Sequence, residues 1–173
     1  MEAKILTKFT IGTEEGLNDL FFISRETAKE RYTGKVADQE LIDYINLNFS
    51  KEVLMTELNS LSNQYLIVYT DGEAAGYAKL SSKGIRPEIF EGKTLIRIAD
   101  FGILNKYNDD LIRKSLFEKC LSASTMQKVI WISESEDSRY LDFFESYGFK
   151  REVNIKLPHE LPLSPVYFFK EKP

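Results

Sequence analysis

Hydrophobic positions along the chain follow two rhythms, alternation and helical recurrence, and they mark out its elements. Lys4 to Ile11 alternates loosely and predicts a strand. Thr13 then offers a helix cap, with Glu14 and Glu15 in the first turn where the dipole favours anions. Leu17, Leu20, Phe21 and Ala28 recur near helical spacing, and Gly34 marks the end. Asp38 caps a second predicted helix carrying Leu41, Ile42, Ile45 and Phe49. Ser50 caps a third, with Leu54, Leu58 and Leu61 on one face. Gln64 to Thr70 (QYLIVYT) and Glu73 to Ser82 (EAAGYAKLSS) read as strands flanking Asp71-Gly72, a strong hairpin signal because both turn residues tolerate positive φ. Gly76 inside the second strand predicts a bulge or a close backbone approach.

Lys83 to Gly92 reads as a loop, and Lys93 to Leu104 as a largely apolar and therefore central strand. Asn108 to Ser124 predicts a helix with Ile112, Leu116 and Cys120 on one face, and Lys128 to Ser133 a short buried strand holding Trp131. Asp137 caps a short helix bearing Leu141, Phe144 and Tyr147, ended by Gly148. Phe149 to Leu157 reads as a strand, Pro158 to Pro165 as a turn, and Val166 to Lys170 as a last strand. Taken as an exposed edge, that last strand invites pairing and a homodimer. The order predicts an α/β fold with a mixed sheet of about seven strands, parallel and antiparallel, flanked by helices.

The length of 173 residues sets the expectation of one domain over 1–173, long enough to bury a core without staples. Lys+Arg of 23 against Asp+Glu of 27 gives a net charge of −4, without the basic footprint that phosphate binding needs, so nucleic acid is not an expected partner. No apolar run approaches a membrane span, and MEAKILTKFT lacks a signal peptide's apolar stretch. Cys120 is the one cysteine and cannot form an internal disulfide, which fits a reducing cytoplasm. The one histidine, His159, excludes a multi-histidine metal site.

The segments QYLIVYTDGEAAGYAKL (Gln64 to Leu80) and KVIWISESEDSRYLDFFESYGF (Lys128 to Phe149), with the element order, resemble the GNAT superfamily of N-acetyltransferases. Within it, the pattern is most similar to a bacterial branch linked to polyamine (spermidine) acetylation. The resemblance implies a sheet splayed between its fourth and fifth strands and acetyl-CoA as donor to a small amine. It implies cofactor contacts at Ile103, Leu104, Asn108, Arg113, Lys114, Ser115 and Arg139. In the family, the pyrophosphate sits on a glycine-rich helix start, where free amides point at the phosphates.

The chain departs from the family at three places. Asn108 to Arg113 (NDDLIR) takes the phosphate loop, with Leu111 and Arg113 at the two glycine positions. Asp109 and Asp110 add carboxylates, each repelling a phosphate about 5 Å away by about 1 kcal/mol in water-like dielectric. They suit the helix dipole, so the helix start is expected to cap itself. Phe144 takes the position of the tyrosine that protonates the leaving thiolate, leaving Tyr147 and Tyr140 as substitutes. Ala99 takes a common acidic position, and Asp100, one residue on, reaches the same face only through a bulge. Glu134, Glu136 and Asp137 form an acidic cluster suited to a solvated loop or to a cationic amine. Two readings follow: an N-acetyltransferase with atypical cofactor binding, or an inactive domain for ligand sensing or protein interaction.

Overall fold

The computed structural model describes residues 2–173. Its strands are β1 (Ile5–Thr10), β2 (Asn63–Thr70), β3 (Glu73–Ser81), β4 (Leu95–Ile103), β5 (Val129–Ser135), β6 (Lys150–Glu152) and β7 (Pro165–Glu171). Its helices are α1 (Glu14–Tyr32), α2 (Asp38–Asn48), α3 (Lys51–Leu58), α4 (Asp110–Ala123) and α5 (Leu141–Ser146). The strands form one seven-stranded sheet in the order β1-β2-β3-β4-β5-β7-β6. β4 and β5 run parallel and the other pairs antiparallel.

Alternation on β2 separates the two faces. Tyr65 and Ile67 pack with Leu20, Ile23 and Leu54 beneath α1–α3. Leu66 and Val68 pack with Leu116, Phe117 and Phe144 beneath α4 and α5. The hairpin closes through Asp71 at φ 49° and Gly72 at φ 85°, the backbone of a two-residue turn matched to strand twist. A register slip at Val68/Tyr69 leaves Ala75 as the extra residue. Beside it, a Cβ on Gly76 would lie 2.6 Å from the Gly102 carbonyl oxygen, so a side chain there would force β3 and β4 apart.

Four local expectations are corrected. The strand expected over Phe149 to Leu157 shrinks to Lys150–Glu152, because Ile155 and Leu157 turn away to pack on the Trp131 cluster. β7 lies between β5 and β6 rather than at an edge, so the argument for a dimer through Val166 to Lys170 loses its premise. Asp137 does not cap α5: it accepts from the Ser135 hydroxyl and pairs with Lys35 at 3.0 Å, and Tyr140 stands at the cap position. Asp38 is the first residue of α2, behind Ala37, so it serves the helix dipole instead of a cap hydrogen bond.

Candidate active site

The β4–β5 ladder joins only Leu95–Ile98 to Val129–Ile132. Beyond it β4 stays with β3 as far as Ile103, while β5 stays with β7 as far as Ser135. The two strands therefore diverge at the middle of the sheet. At that point β4 carries a bulge: Lys79 faces Asp100 and Leu80 faces Ile98, leaving Ala99 as the extra residue. Regular alternation would put Asp100 on the face of Ile98, in the core under α4. The bulge instead turns it toward α1–α3, on the face of Arg97.

α1 approaches this opening closely because its sheet-facing residues are small. Ser24 and Thr27 fold their hydroxyls back onto the Leu20 and Ile23 carbonyls at 2.6 and 2.7 Å. Thr27 rests against Gly102. One turn further on, Arg31 reaches across the divergence. Its Nη1 donates to Asp100 Oδ1 at 2.7 Å and its Nη2 to Glu134 Oε1 at 2.6 Å. The Tyr77 hydroxyl donates to the other Asp100 oxygen. Burial works against the Arg31 charge, but Glu134, Tyr32 and Asp100 together hold the guanidinium well above its usual range. Burial pushes the Glu134 carboxyl up, with Arg31 pulling the other way. Burial likewise raises the Tyr77 phenol well above its usual range and that of Tyr32 to about 12.

Two cavities flank this clasp. The larger, about 350 Å³, falls within the ~300–1,000 Å³ of small-molecule sites; Tyr44, Tyr65, Tyr77, Lys79, Arg97 and Asp100 line it. The loop around Pro158 to Pro165 covers it. The smaller, about 190 Å³, is lined by Ile103, Asn105, Arg139 and Tyr140. Arg31, Tyr32, Glu134 and Ser135 border both, so the clasp is the wall between them. At the smaller cavity, Ile103 N–H donates to the Tyr140 hydroxyl at 2.9 Å, and the Ile103 carbonyl accepts from Arg139. Arg139 also donates to the Tyr140 oxygen at 2.9 Å. That oxygen thus accepts two hydrogen bonds and keeps its own proton to donate.

The residues singled out from the sequence divide between this cleft and other places. Asp100, Ile103 and Arg139 meet in it. Leu104 is buried beside it, its amide bonded to the Ala75 carbonyl. Asn108 precedes α4, whose N-cap is Asp109; the Asp109 carboxylate accepts from the Leu111 amide at 2.7 Å. Arg113 is paired with Asp110 and stacks on Phe143, while Lys114 lies 3.9 Å from Glu118. Ser115 points to β1, 2.7 Å from the Thr7 hydroxyl. Phe144 is fully buried among Phe101, Phe117 and Phe168. Tyr147 reaches Glu118 and lines neither cavity. Sequence reasoning missed Arg31, whose signal was its place on the Leu20, Ser24, Thr27 stripe: a charge at a core-facing helical position. Among the described residues no group of three His, Cys, Asp or Glu could hold a metal ion, and no helix is long and apolar enough to cross a membrane.

No protein-family model matches the sequence. Solved structures match along the whole chain. PaiA N-acetyltransferase from Thermoplasma acidophilum, in complex with coenzyme A, superposes with a TM-score of 0.77 at 18% identity over 98% of this chain and 99% of that one. The fold is that of the GNAT acetyltransferases. FeeM, an N-acyl amino acid synthase from uncultured soil microbes, superposes with a TM-score of 0.69 at 16% identity, covering 99% of this chain and 92% of that one. A probable acetyltransferase from Staphylococcus epidermidis gives 0.69 at 14% identity, covering 98% and 100%. The diverging β4 and β5 and the bulge at Ala99 lie at the centre of this GNAT fold.

Proposed function

We propose that the chain is a GNAT-family N-acyltransferase that moves an acyl group, such as acetyl, from a coenzyme A thioester to a small amine. The larger cavity takes the amine and the smaller one the thioester arm. The observation that carries this reading is the bulge at Ala99. It brings a carboxylate, Asp100, to the mouth of the strand divergence, where an ammonium group entering from the larger cavity can give up its proton.

The donor's arm and its diphosphate fit differently. The gap between β4 and β5 suits an extended arm, with the Ile103 carbonyl at its edge once Arg139 yields it. A main-chain seat for the diphosphate does not fit, because Asp109 occupies the Leu111 amide and two carboxylates flank the helix start. Arg139 and Lys35 line the smaller cavity and are the cations that would bind phosphates through side chains. In the transfer, the amine nitrogen bonds to the acyl carbon, the carbon–sulfur bond breaks, and the departing thiolate takes a proton. Asp100 accepts the proton that frees the nitrogen lone pair, Tyr140 Oη supplies the one that the sulfur needs, and the second proton leaving the nitrogen as the amide forms restores the Tyr140 hydroxyl. Holding both reactants at one gap supplies much of the acceleration.

Isothermal titration of the full chain with acetyl-CoA, followed by thiol release in the presence of small amines, tests the reading. Heat at sub-millimolar to millimolar ligand and amine-dependent thiol release are expected. Neither signal would leave the second reading, a silent GNAT-fold domain for ligand sensing or protein interaction. That reading draws on the occupied Ile103 and Leu111 amides. A related expectation concerns the helix start. Asp109→Ala removes an N-cap worth about 1 kcal/mol of stability in urea unfolding. It also removes one repelling carboxylate, so coenzyme A affinity rises about four-fold by titration calorimetry. Unchanged affinity would mean that the diphosphate binds away from α4.

A further inference from the structure

Among the described residues, the charges around the larger cavity are paired off except for one carboxylate, Glu160, and one cation, Arg97. Arg31 is divided between Asp100 and Glu134, and Lys79 pairs with Glu57 at 2.6 Å. Glu160 accepts from the Asn48 amide at 2.6 Å. Arg97 has no carboxylate partner among the described residues, and its Nε is buried without a hydrogen bond. The residue is fixed from both sides, because its backbone pairs with Ser81 of β3 and Trp131 of β5. Its guanidinium lies over the Trp131 ring, 4.9 Å from the centroid. Burial lowers its pKa, with Asp100 the largest of the charges that oppose the fall and no carboxylate within ion-pair distance. Guanidinium stays protonated in proteins, so the site keeps a planar, preoriented fork beside a cavity.

We infer that the acceptor is an amine that also bears a carboxylate, with Arg97 as the anion anchor and Asp100 facing the ammonium end. The inference rests on the larger cavity being the acceptor site. Arg97 and Asp100 share a face because the bulged Ala99 lies between them, which sets the two ends roughly 7 Å apart along the strand. A bidentate carboxylate matches the fork of Arg97. A dication, such as a polyamine, places its second charge against Arg97 and is disfavoured there.

The test compares matched ligands on the full chain without any thioester donor, by titration calorimetry and thermal shift. The pairs are leucine against isopentylamine and γ-aminobutyrate against propylamine, with putrescine and spermidine alongside. At least one amino acid is expected to bind about 10-fold or more tighter than its decarboxylated partner and than either polyamine. Arg97→Met should reduce that advantage to within about two-fold, and Arg97→Lys, which keeps the charge without the fork, should retain part of it. Should Arg97→Met fail to fold, Arg97→Lys and the matched pairs on the native chain still decide. The inference is overturned if amines or polyamines bind as tightly as the amino acids, if no amino acid binds at about 10 mM, or if folded Arg97→Met keeps the preference. Carboxylate-dependent binding without thiol release would remove the acyltransferase reading and leave the anchor standing. Thiol release with simple amines alone would do the reverse.

Discussion

Arg31→Met is expected to lower the unfolding free energy by about 3–5 kcal/mol at neutral pH, read by urea denaturation, because it strands two carboxylates at a largely dry site. Asp100 and Glu134 lose the fork that spans them at 2.7 and 2.6 Å. The loss should depend on pH with a defined sign. Burial already raises the Glu134 carboxyl above its ordinary 4.5, and Arg31 opposes that rise. Without Arg31 the folded-state pKa climbs further. A carboxyl raised on folding contributes stability that is present below its unfolded pKa and lost as pH rises through the folded value. The variant's deficit is therefore smallest near pH 4.5 and widens toward neutrality. Adding Glu134→Gln should recover part of the loss at neutral pH and flatten the dependence. A deficit below about 1 kcal/mol, the level of an exposed pair, would mean that the clasp is solvated and is not the wall between the cavities.

Tyr140→Phe is expected to reduce kcat for acyl transfer by about 10²–10⁴-fold, the usual worth of a positioned proton donor. Its oxygen accepts from Ile103 and Arg139 at 2.9 Å each, which leaves its own proton free to donate. The same change strips the Ile103 amide of its acceptor, so a stability loss of about 1–3 kcal/mol accompanies it. KM for the amine separates the two effects: a purely structural role would move it, whereas loss of the proton donor leaves it within about two-fold. Tyr147→Phe is the matched control. Its hydroxyl bonds to Glu118 outside the cleft, so kcat should be unchanged. Turnover retained in Tyr140→Phe would assign the thiolate's proton to solvent. Phe144→Tyr offers no repair, because that ring is fully buried among aromatic neighbours and a hydroxyl there finds no water.

Legibility differed between elements for physical reasons. The β2–β3 hairpin was plain, since Asp71 and Gly72 need positive φ and both have it. The self-capped start of α4 was also plain, because a cap acts within three residues of itself, and the structure assigns the cap to Asp109. The short β6 and the interior place of β7 were not. Whether Ile155 and Leu157 continue a strand or turn to cover Trp131 depends on a partner far away in sequence. Asp100 was legible only conditionally: alternation placed it in the core, and one displaced residue, Ala99, reversed its side.

The linear pattern determined the order of elements, the mixed sheet, the hairpin and the self-capped start of α4, because each follows from period, turn chemistry or a neighbour within a few residues. The tertiary structure alone decided what the cleft is made of. Arg31 meets Asp100 from 69 positions away and Glu134 from 103, and Arg97 is left with no ion-pair partner among the described residues and an unbonded Nε. Pairings over such separations depend on where helices dock and strands part. Local propensity carries no information about them, since the same arginine on an isolated helix would face water.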